Sequence, residues 1–209
     1  MPLQPAESDA IDRRVTTVEA RTGVQVVAAV VPRSDNYVEL PWKAFALGAS
    51  LAGAAVVLAN LWLTVLLDTL IVLGTAAVCA LLAVFVPPFA RLFLREVRSH
   101  AEVRQYAESL FLRRELFRTR DRRAVLVLVS QFERRIEILP DTGLAGRVRA
   151  TDWRQVIEVM TPHLRDARAF HALQDGIGAV ERVLLANGVQ ATAPTTNELP
   201  NRPIEEAGA

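Results

Sequence analysis

The sequence predicts an α/β protein, a small three-layer sandwich that is interrupted by a transmembrane α-helical hairpin. Residues 44–90 contain a single charged side chain, Asp68, although 22% of all residues are charged. Two short runs, residues 24–31 and 124–129, are almost wholly apolar and rich in β-branched side chains, as is typical of strands buried on both faces of a sheet. Apolar stripes at helical spacing precede, separate and follow these runs, which favours helices on both faces of that sheet.

The long apolar run has the length of two membrane crossings rather than one. Because about 20 apolar residues span the hydrocarbon core of a bilayer, we assign the spans to residues 44–63 and 69–86. The turn between them is predicted at Leu66, Leu67 and Asp68, with the Asp68 carboxylate capping the second helix at headgroup level. A role for Asp68 as a proton or ion site is the alternative. Soluble helices of this length keep a polar face, which argues against burial in a soluble core.

Small residues recur four positions apart in the first span, and this spacing lets helix backbones approach closely in lipid. The pairs are Gly48 and Ala52, Ala49 and Gly53, and Ser50 and Ala54. We expect this span to pack on the second span near Gly74, Ala76 and Ala77. The alternative is that the same face joins two copies of the chain.

Basic residues flank the apolar run on both sides, whereas the turn has none. Arg33 and Lys43 precede the first span, and Arg91, Arg95 and Arg98 follow the second. The positive-inside rule then places both termini in the cytoplasm, with the hairpin in the plasma (inner) membrane. We expect anionic lipid headgroups near Arg91, Arg95 and Arg98, where each basic side chain contributes roughly 1 kcal/mol of attraction.

The polar segments on either side of the hairpin are predicted to form one domain. Its first part, residues 8–36, holds a helix capped by Ser8 and ended by Gly23, followed by the first strand. Its second part, residues 97–188, holds a helix, a strand hairpin that turns near Gln131, and two helices closed by Asn187 and Gly188. We expect the first two strands to be parallel across a helical crossover. Residues 189–209, rich in Pro, Thr, Asn and Glu, are predicted to be disordered.

Catalytic signatures are absent from the sequence, so no catalytic residue and no cofactor is assigned, and the question of a metal stays open. His163 and His171 are too few for a zinc site without carboxylate ligands. His171 and Asp175 stand one helical turn apart and could share a cation, although a solvated or capping role is the simpler interpretation. Asp141 and Asp152 lie at element ends near the sheet edge, where α/β domains often bind ligands; turn formation by Asp141 and a helix N-terminal charge on Asp152 are the alternatives.

Several short motifs, in this order, resemble the TPM domain family, in its bacterial membrane-anchored branch with a two-helix insertion. They are Arg21-Thr22-Gly23-Val24-Gln25-Val26-Val27, the strand AVLVLVS at residues 124–130, the strand ERRIEIL with Asp141-Thr142-Gly143-Leu144 after it, and the closing helices from VIEVM to RVLL. The resemblance implies an α/β sandwich in or near membranes. It also implies metal binding, acid phosphatase activity or an auxiliary role in larger membrane assemblies. Arg122-Arg123 stands where the family commonly has Asn-Gly, and residues 165–168 are more basic than usual.

These observations predict a two-pass membrane protein that presents a non-catalytic TPM-like module to the cytoplasm as an accessory factor binding a protein partner or an ion. A membrane-tethered, metal-dependent phosphatase is the first alternative, and a small channel or transporter subunit that depends on Asp68 is the second. Nucleic acid is excluded as a partner, because the net charge is only +1 and no stacking platform is evident.

Overall fold

The computed structural model describes residues 3–59, 64–192, 197–206 and 208. The chain divides into two compact units. The first comprises residues 1–35 and 100–209, and the second comprises residues 36–99. The polar segments before and after the apolar run therefore belong to one unit, and the apolar run forms the other.

The helices and strands follow one another in the order that the sequence predicts, with one short helix and one short strand in addition. In chain order they are α1 (Pro5–Thr22), β1 (Gln25–Val31), α2 (Glu39–Leu58), α3 (Val65–Phe85), α4 (Pro87–Arg91), α5 (Glu96–Arg113), β2 (Ala124–Ser130), β3 (Arg135–Pro140), α6 (Ala150–Arg165), α7 (Ala169–Ala186) and β4 (Ile204–Glu205). Short 3-10 turns at Leu116–Arg118 and Thr142–Leu144 precede β2 and follow β3.

The four strands form one sheet in the order β3-β2-β1-β4. β1 and β2 are parallel over their whole length, from Gln25 opposite Ala124 to Val31 opposite Ser130. β2 and β3 form the predicted antiparallel hairpin. Every residue of β1 and β2 is buried, which is the burial that their unbroken apolar sequences predict.

Helices cover both faces of this sheet, so the three-layer α/β architecture is confirmed. On one face Val26 and Val127 pack with side chains of α1, α6 and α7, such as Ile11, Met160 and Ile177. On the other face the strands pack with α5, and the principal buried side chains there are Val27, Ala29, Val103, Ala107, Leu110, Leu126 and Leu128. Successive side chains of each central strand thus point to opposite faces and pack into two separate apolar layers.

Helix α1 begins earlier than predicted, and the assignment of Ser8 as its N-cap is wrong. Gln4 is the N-cap, Pro5 occupies the first helical position, and the Glu7 carboxylate accepts a hydrogen bond from the Gln4 amide at 2.8 Å. This capping box satisfies amides at the helix start, while Ser8 is buried one turn inside the helix. The predicted end at Gly23 is confirmed, since Gly23 adopts the left-handed conformation with φ of 70°.

The second unit contains two helices that are long and apolar enough to cross a membrane, α2 with 20 residues and α3 with 21. Helix α3 begins at Val65 and the Thr64 hydroxyl accepts a hydrogen bond from the Leu67 amide. The predicted turn at Leu66 to Asp68 is therefore wrong, because these residues are helical and Thr64 is the cap. Residues 60–63, which include the predicted end of the first span, lie outside the described residues.

The described part of the C-terminal tail, for which the sequence predicts disorder, packs within the first unit. Ile204 and Glu205 form β4 beside Ala29 and Val30 of β1. Leu199 and Ile204 pack on the apolar layer beneath α5. The tail has few apolar residues, but they pack at the β1 edge, which the other strands leave unpaired. Composition alone does not reveal that the tail fits this edge.

Candidate functional site

Asp141 follows β3 and caps the 3-10 turn at Thr142–Leu144. Its Oδ1 accepts a hydrogen bond from the Thr142 amide at 2.7 Å and lies 3.1 Å from Nη2 of Arg122. The Gly143 amide donates to the Arg122 carbonyl at 2.9 Å, and a Cβ at Gly143 would collide with the carbonyl oxygens of Asp121 and Arg122. Among the described residues, the buried Oδ2 of Asp141 has no hydrogen-bond partner.

Asp152 caps the start of α6. It accepts hydrogen bonds from the Arg149 amide at 3.2 Å and from the Asn187 side chain at 3.4 Å, and its Oδ1 lies 3.4 Å from Nη2 of Arg149. Burial opposes its ionisation, but the hydrogen bonds and charge of Arg149 lower the pKa of Asp152 below the usual carboxyl value. This geometry fits the alternative of a charge at a helix N-terminus, and Asp152 stays ionised as part of the α6 cap.

Asp175 pairs with His163 rather than with His171, the residue with which it could have shared a cation. Asp175 contacts Nε2 of His163, on α6, at 2.8 Å, and not His171 one turn away on its own helix. The His171 ring instead stacks on the His163 ring with centroids 6.1 Å apart. The shared-cation hypothesis for His171 and Asp175 is thus not supported by their contacts. Within the described ranges, no group of three His, Cys, Asp or Glu side chains is close enough to hold a metal ion.

A buried glutamate that sequence reasoning missed lies at the carboxyl ends of β1 and β2. The Glu133 carboxylate accepts hydrogen bonds from the Ser34 amide at 2.9 Å and the Ser34 hydroxyl at 2.6 Å, and also from the Ser130 hydroxyl. These bonds join the segment after β1 to the β2–β3 turn. In the sequence, Ser130 and Glu133 stand close together at the predicted hairpin. Ser34 is 99 residues from Glu133 along the chain, so no local pattern indicates that these two residues are in contact.

Hydrogen bonds and ion pairs at two points hold the tail along the edge of β1, and no sequence pattern predicts them. At one end, the Gln25 side-chain oxygen accepts hydrogen bonds from the amides of Glu198 and Leu199 at 2.9 and 3.0 Å. At the other end, the Glu206 carboxylate is bound by three side chains that we call the acidic-residue socket. They are Tyr106 at 2.8 Å, Arg113 at 2.9 Å and Arg114 at 3.1 Å.

The acidic-residue socket favours a negative charge. Burial opposes ionisation of Glu206, but hydrogen bonds from Tyr106 and Arg114 and the nearby guanidinium charges lower its pKa below the usual value. Burial and the adjacent carboxylate raise the pKa of Tyr106, so its hydroxyl stays a proton donor. Two guanidinium groups and one hydroxyl thus bind one carboxylate, a donor set suited to Asp or Glu side chains.

Comparison with known proteins agrees with this architecture. Residues 84–183 match the family model of the TPM domain. The fold is similar to the NMR structure of BA42 protein from the psychrophilic bacterium Bizionia argentinensis, with a TM-score of 0.61 and 14% sequence identity over 99% of this chain and 97% of that chain. No curated protein matches the sequence.

The family match covers the last residues of α3, all of α4 to α6 and most of α7. The strand motifs and the closing helices on which the sequence resemblance rests lie mostly inside that range, and the α/β sandwich that the resemblance implies is the fold observed. The resemblance to the TPM domain is confirmed over residues 84–183, the stretch that matches its family model.

Proposed function

We propose that the protein is a two-pass membrane protein that presents its TPM domain to the cytoplasm as an accessory module for a protein partner or an ion. The insertion of α2 and α3 between β1 and α5 carries the proposal. Both helices expose large apolar side chains, among them Leu51, Val57, Leu70, Leu73 and Leu81. Such surfaces are stabilised by lipid and unfavourable in water.

The contacts of the candidate ligands support a binding module over an enzyme. Asp141 is neutralised by Arg122, Asp152 by Arg149, and Asp175 contacts His163. A general base or metal ligand needs a carboxylate that is available to substrate or metal. Asp141 and Asp152 instead stabilise a turn and a helix end, and Asp175 pairs with His163.

Reporter fusions test the membrane arrangement. Fusions at the C-terminus and in the segment between α2 and α3 are expected to report opposite sides of the membrane, with the C-terminus cytoplasmic, as the flanking arginines predict. A C-terminal reporter that is active only outside the cytoplasm would contradict the proposal.

A second experiment tests for a partner of the TPM domain. The detergent-solubilised chain is cross-linked and captured with its neighbours, and the control is a Val27→Asp variant, which disrupts that domain.

The second candidate is a metal-dependent phosphatase, which the unpartnered Oδ2 of Asp141 favours. The detergent-solubilised chain would be assayed with p-nitrophenyl phosphate and Mg²⁺, Mn²⁺ or Ca²⁺. The accessory-module proposal predicts no metal-dependent turnover. Turnover that is lost in Asp141→Asn or Asp152→Asn, but kept in the exposed control Asp9→Asn, would establish the phosphatase instead.

A further inference from the structure

We propose that the β1 edge and the acidic-residue socket together form a peptide-docking site, which the chain's own tail occupies as an exchangeable strap. The occupant in trans would be an extended segment of a partner protein that carries two aliphatic anchors followed by an acidic residue. This inference rests on the proposed partner-binding function and names the surface and the chemistry that would serve it.

The tail shows which chemistry the site accepts. Leu199 and Ile204 contact the apolar layer formed by β1, β2 and α5, and Glu206 fills the socket of Tyr106, Arg113 and Arg114. The site therefore binds apolar side chains along β1 and a carboxylate in the acidic-residue socket. Addition of a strand to a sheet edge is a recurring mode of peptide recognition, in which main-chain bonds give affinity and side-chain pockets give specificity.

The tail pairs with only part of the β1 edge, so a partner segment can replace it there. β1 has seven residues, but the described residues of the tail pair only with Ala29 and Val30. Pro200 and Pro203 lack the amide donor that a longer ladder needs. A partner segment without these prolines could pair with more of β1 and form more main-chain hydrogen bonds than the tail does.

The ion pairs at the end of the strap are also weak enough to open. The side chains of Arg113 and Arg114 are 52% and 50% exposed, and ion pairs of this exposure contribute about 0.2–1 kcal/mol each. Tethering gives the tail an effective concentration in the millimolar range. A free peptide therefore competes poorly until the tail's own anchor is weakened.

The test uses the detergent-solubilised full chain and a fluorescent peptide with the sequence of residues 197–206, followed by anisotropy. E206Q weakens the tail and leaves the socket intact, so it is expected to bind the peptide about three- to tenfold more tightly than the unaltered chain does. The exposed neighbour gives the matched control, since E205Q should bind like the unaltered chain. A peptide with Gln in place of Glu206 should bind E206Q more weakly, and R113Q/R114Q should abolish the preference between the two peptides.

Equal affinity of the peptide for E206Q and the unaltered chain, with circular dichroism unchanged, would overturn the proposal. If E206Q does not fold, Ile204→Ala weakens the same strap at its aliphatic anchor, and the same increase is required. Concentration-dependent dimerisation of E206Q without peptide would assign the edge to the tail of a second copy and overturn the assignment to a partner protein. A partner that is captured equally by the unaltered chain and by R113Q/R114Q would leave the accessory function standing and reject this site.

Discussion

At the scale of single residues, Glu19 has a carboxyl group that is buried beneath α1. Its side chain lies on α1, is 4% exposed, and accepts a hydrogen bond from the Val26 amide at 3.0 Å. Burial raises the pKa of Glu19 from 4.5 to about 7, against the opposing hydrogen bonds from Val26 and Asn201, and the charge of Asp12 raises it further. The folded protein thus retains a proton at this carboxyl that the unfolded chain releases near pH 4.5.

This difference predicts that the protein becomes less stable as pH rises. Because the folded state binds more protons than the unfolded state, the free energy of unfolding falls as pH rises from about 4.5 and levels off above about 7. Glu19→Gln keeps an acceptor for Val26 without a charge, so it should flatten this dependence and stabilise the protein at pH 8 by about 1–3 kcal/mol.

Thermal unfolding of the detergent-solubilised chain between pH 4.5 and 8, followed by circular dichroism, measures the effect. Glu158 is exposed on α6, so Glu158→Gln serves as the control and should keep the pH profile of the unaltered chain. Parallel profiles for Glu19→Gln and the unaltered chain would show that Glu19 titrates normally.

At the scale of elements, the pairing of α2 with α3 depends on one stripe of small residues. Ala44, Gly48 and Ala52 are buried on α2, and Ala76 is buried on α3. A Cβ at Gly48 would lie 2.9 Å from Sγ of Cys79 and 3.1 Å from Cα of Ala76. The predicted packing of the first span on the second is therefore present. It uses the Gly48 and Ala52 pair and Ala76, while Gly74 and Ala77 are exposed.

Substitution of Gly48 should separate the hairpin. Gly48→Leu places a large side chain where the α3 backbone lies, and overpacking of this kind costs about 1–3 kcal/mol. The matched control is Gly53→Leu, because a Cβ at Gly53 meets no atom within 4 Å. Cys79 is the one cysteine of the chain, so heating with a thiol-reactive fluorophore reports when the hairpin opens. We expect a lower midpoint for Gly48→Leu than for Gly53→Leu, and equal midpoints would refute this packing.

At the scale of the whole molecule, the hairpin interrupts the sheet between its two central strands. β1 precedes the insertion and β2 follows it, yet they pair over seven positions. All secondary structure of the α/β unit apart from the start of α5 lies outside residues 36–99. The α/β unit therefore includes residues before the hairpin as well as residues in the family match.

Replacement of the hairpin should yield a water-soluble TPM domain. We predict that residues 1–35 joined to 100–209 by a flexible linker of about 15 residues, which reaches roughly 20 Å, fold in water without detergent. Circular dichroism and gel filtration would show a mixed α/β protein. Val27→Asp in the same protein is the control and should aggregate, because Val27 on β1 is 1% exposed in the apolar layer that packs with α5. Aggregation of the parent protein as well would show that the α/β unit depends on the second unit.

The sequence by itself determined the apolar run, the buried strands, their parallel and antiparallel pairing and the TPM motifs. Each is encoded by local periodicity or by element order, so neighbours along the chain suffice to reveal it. Only the tertiary structure decided that Asp175 contacts His163, that Ser34 binds Glu133, and that the tail seats Glu206 in its socket. Those contacts join residues far apart in the sequence, and their geometry follows from how helices and strands pack, which no local pattern records.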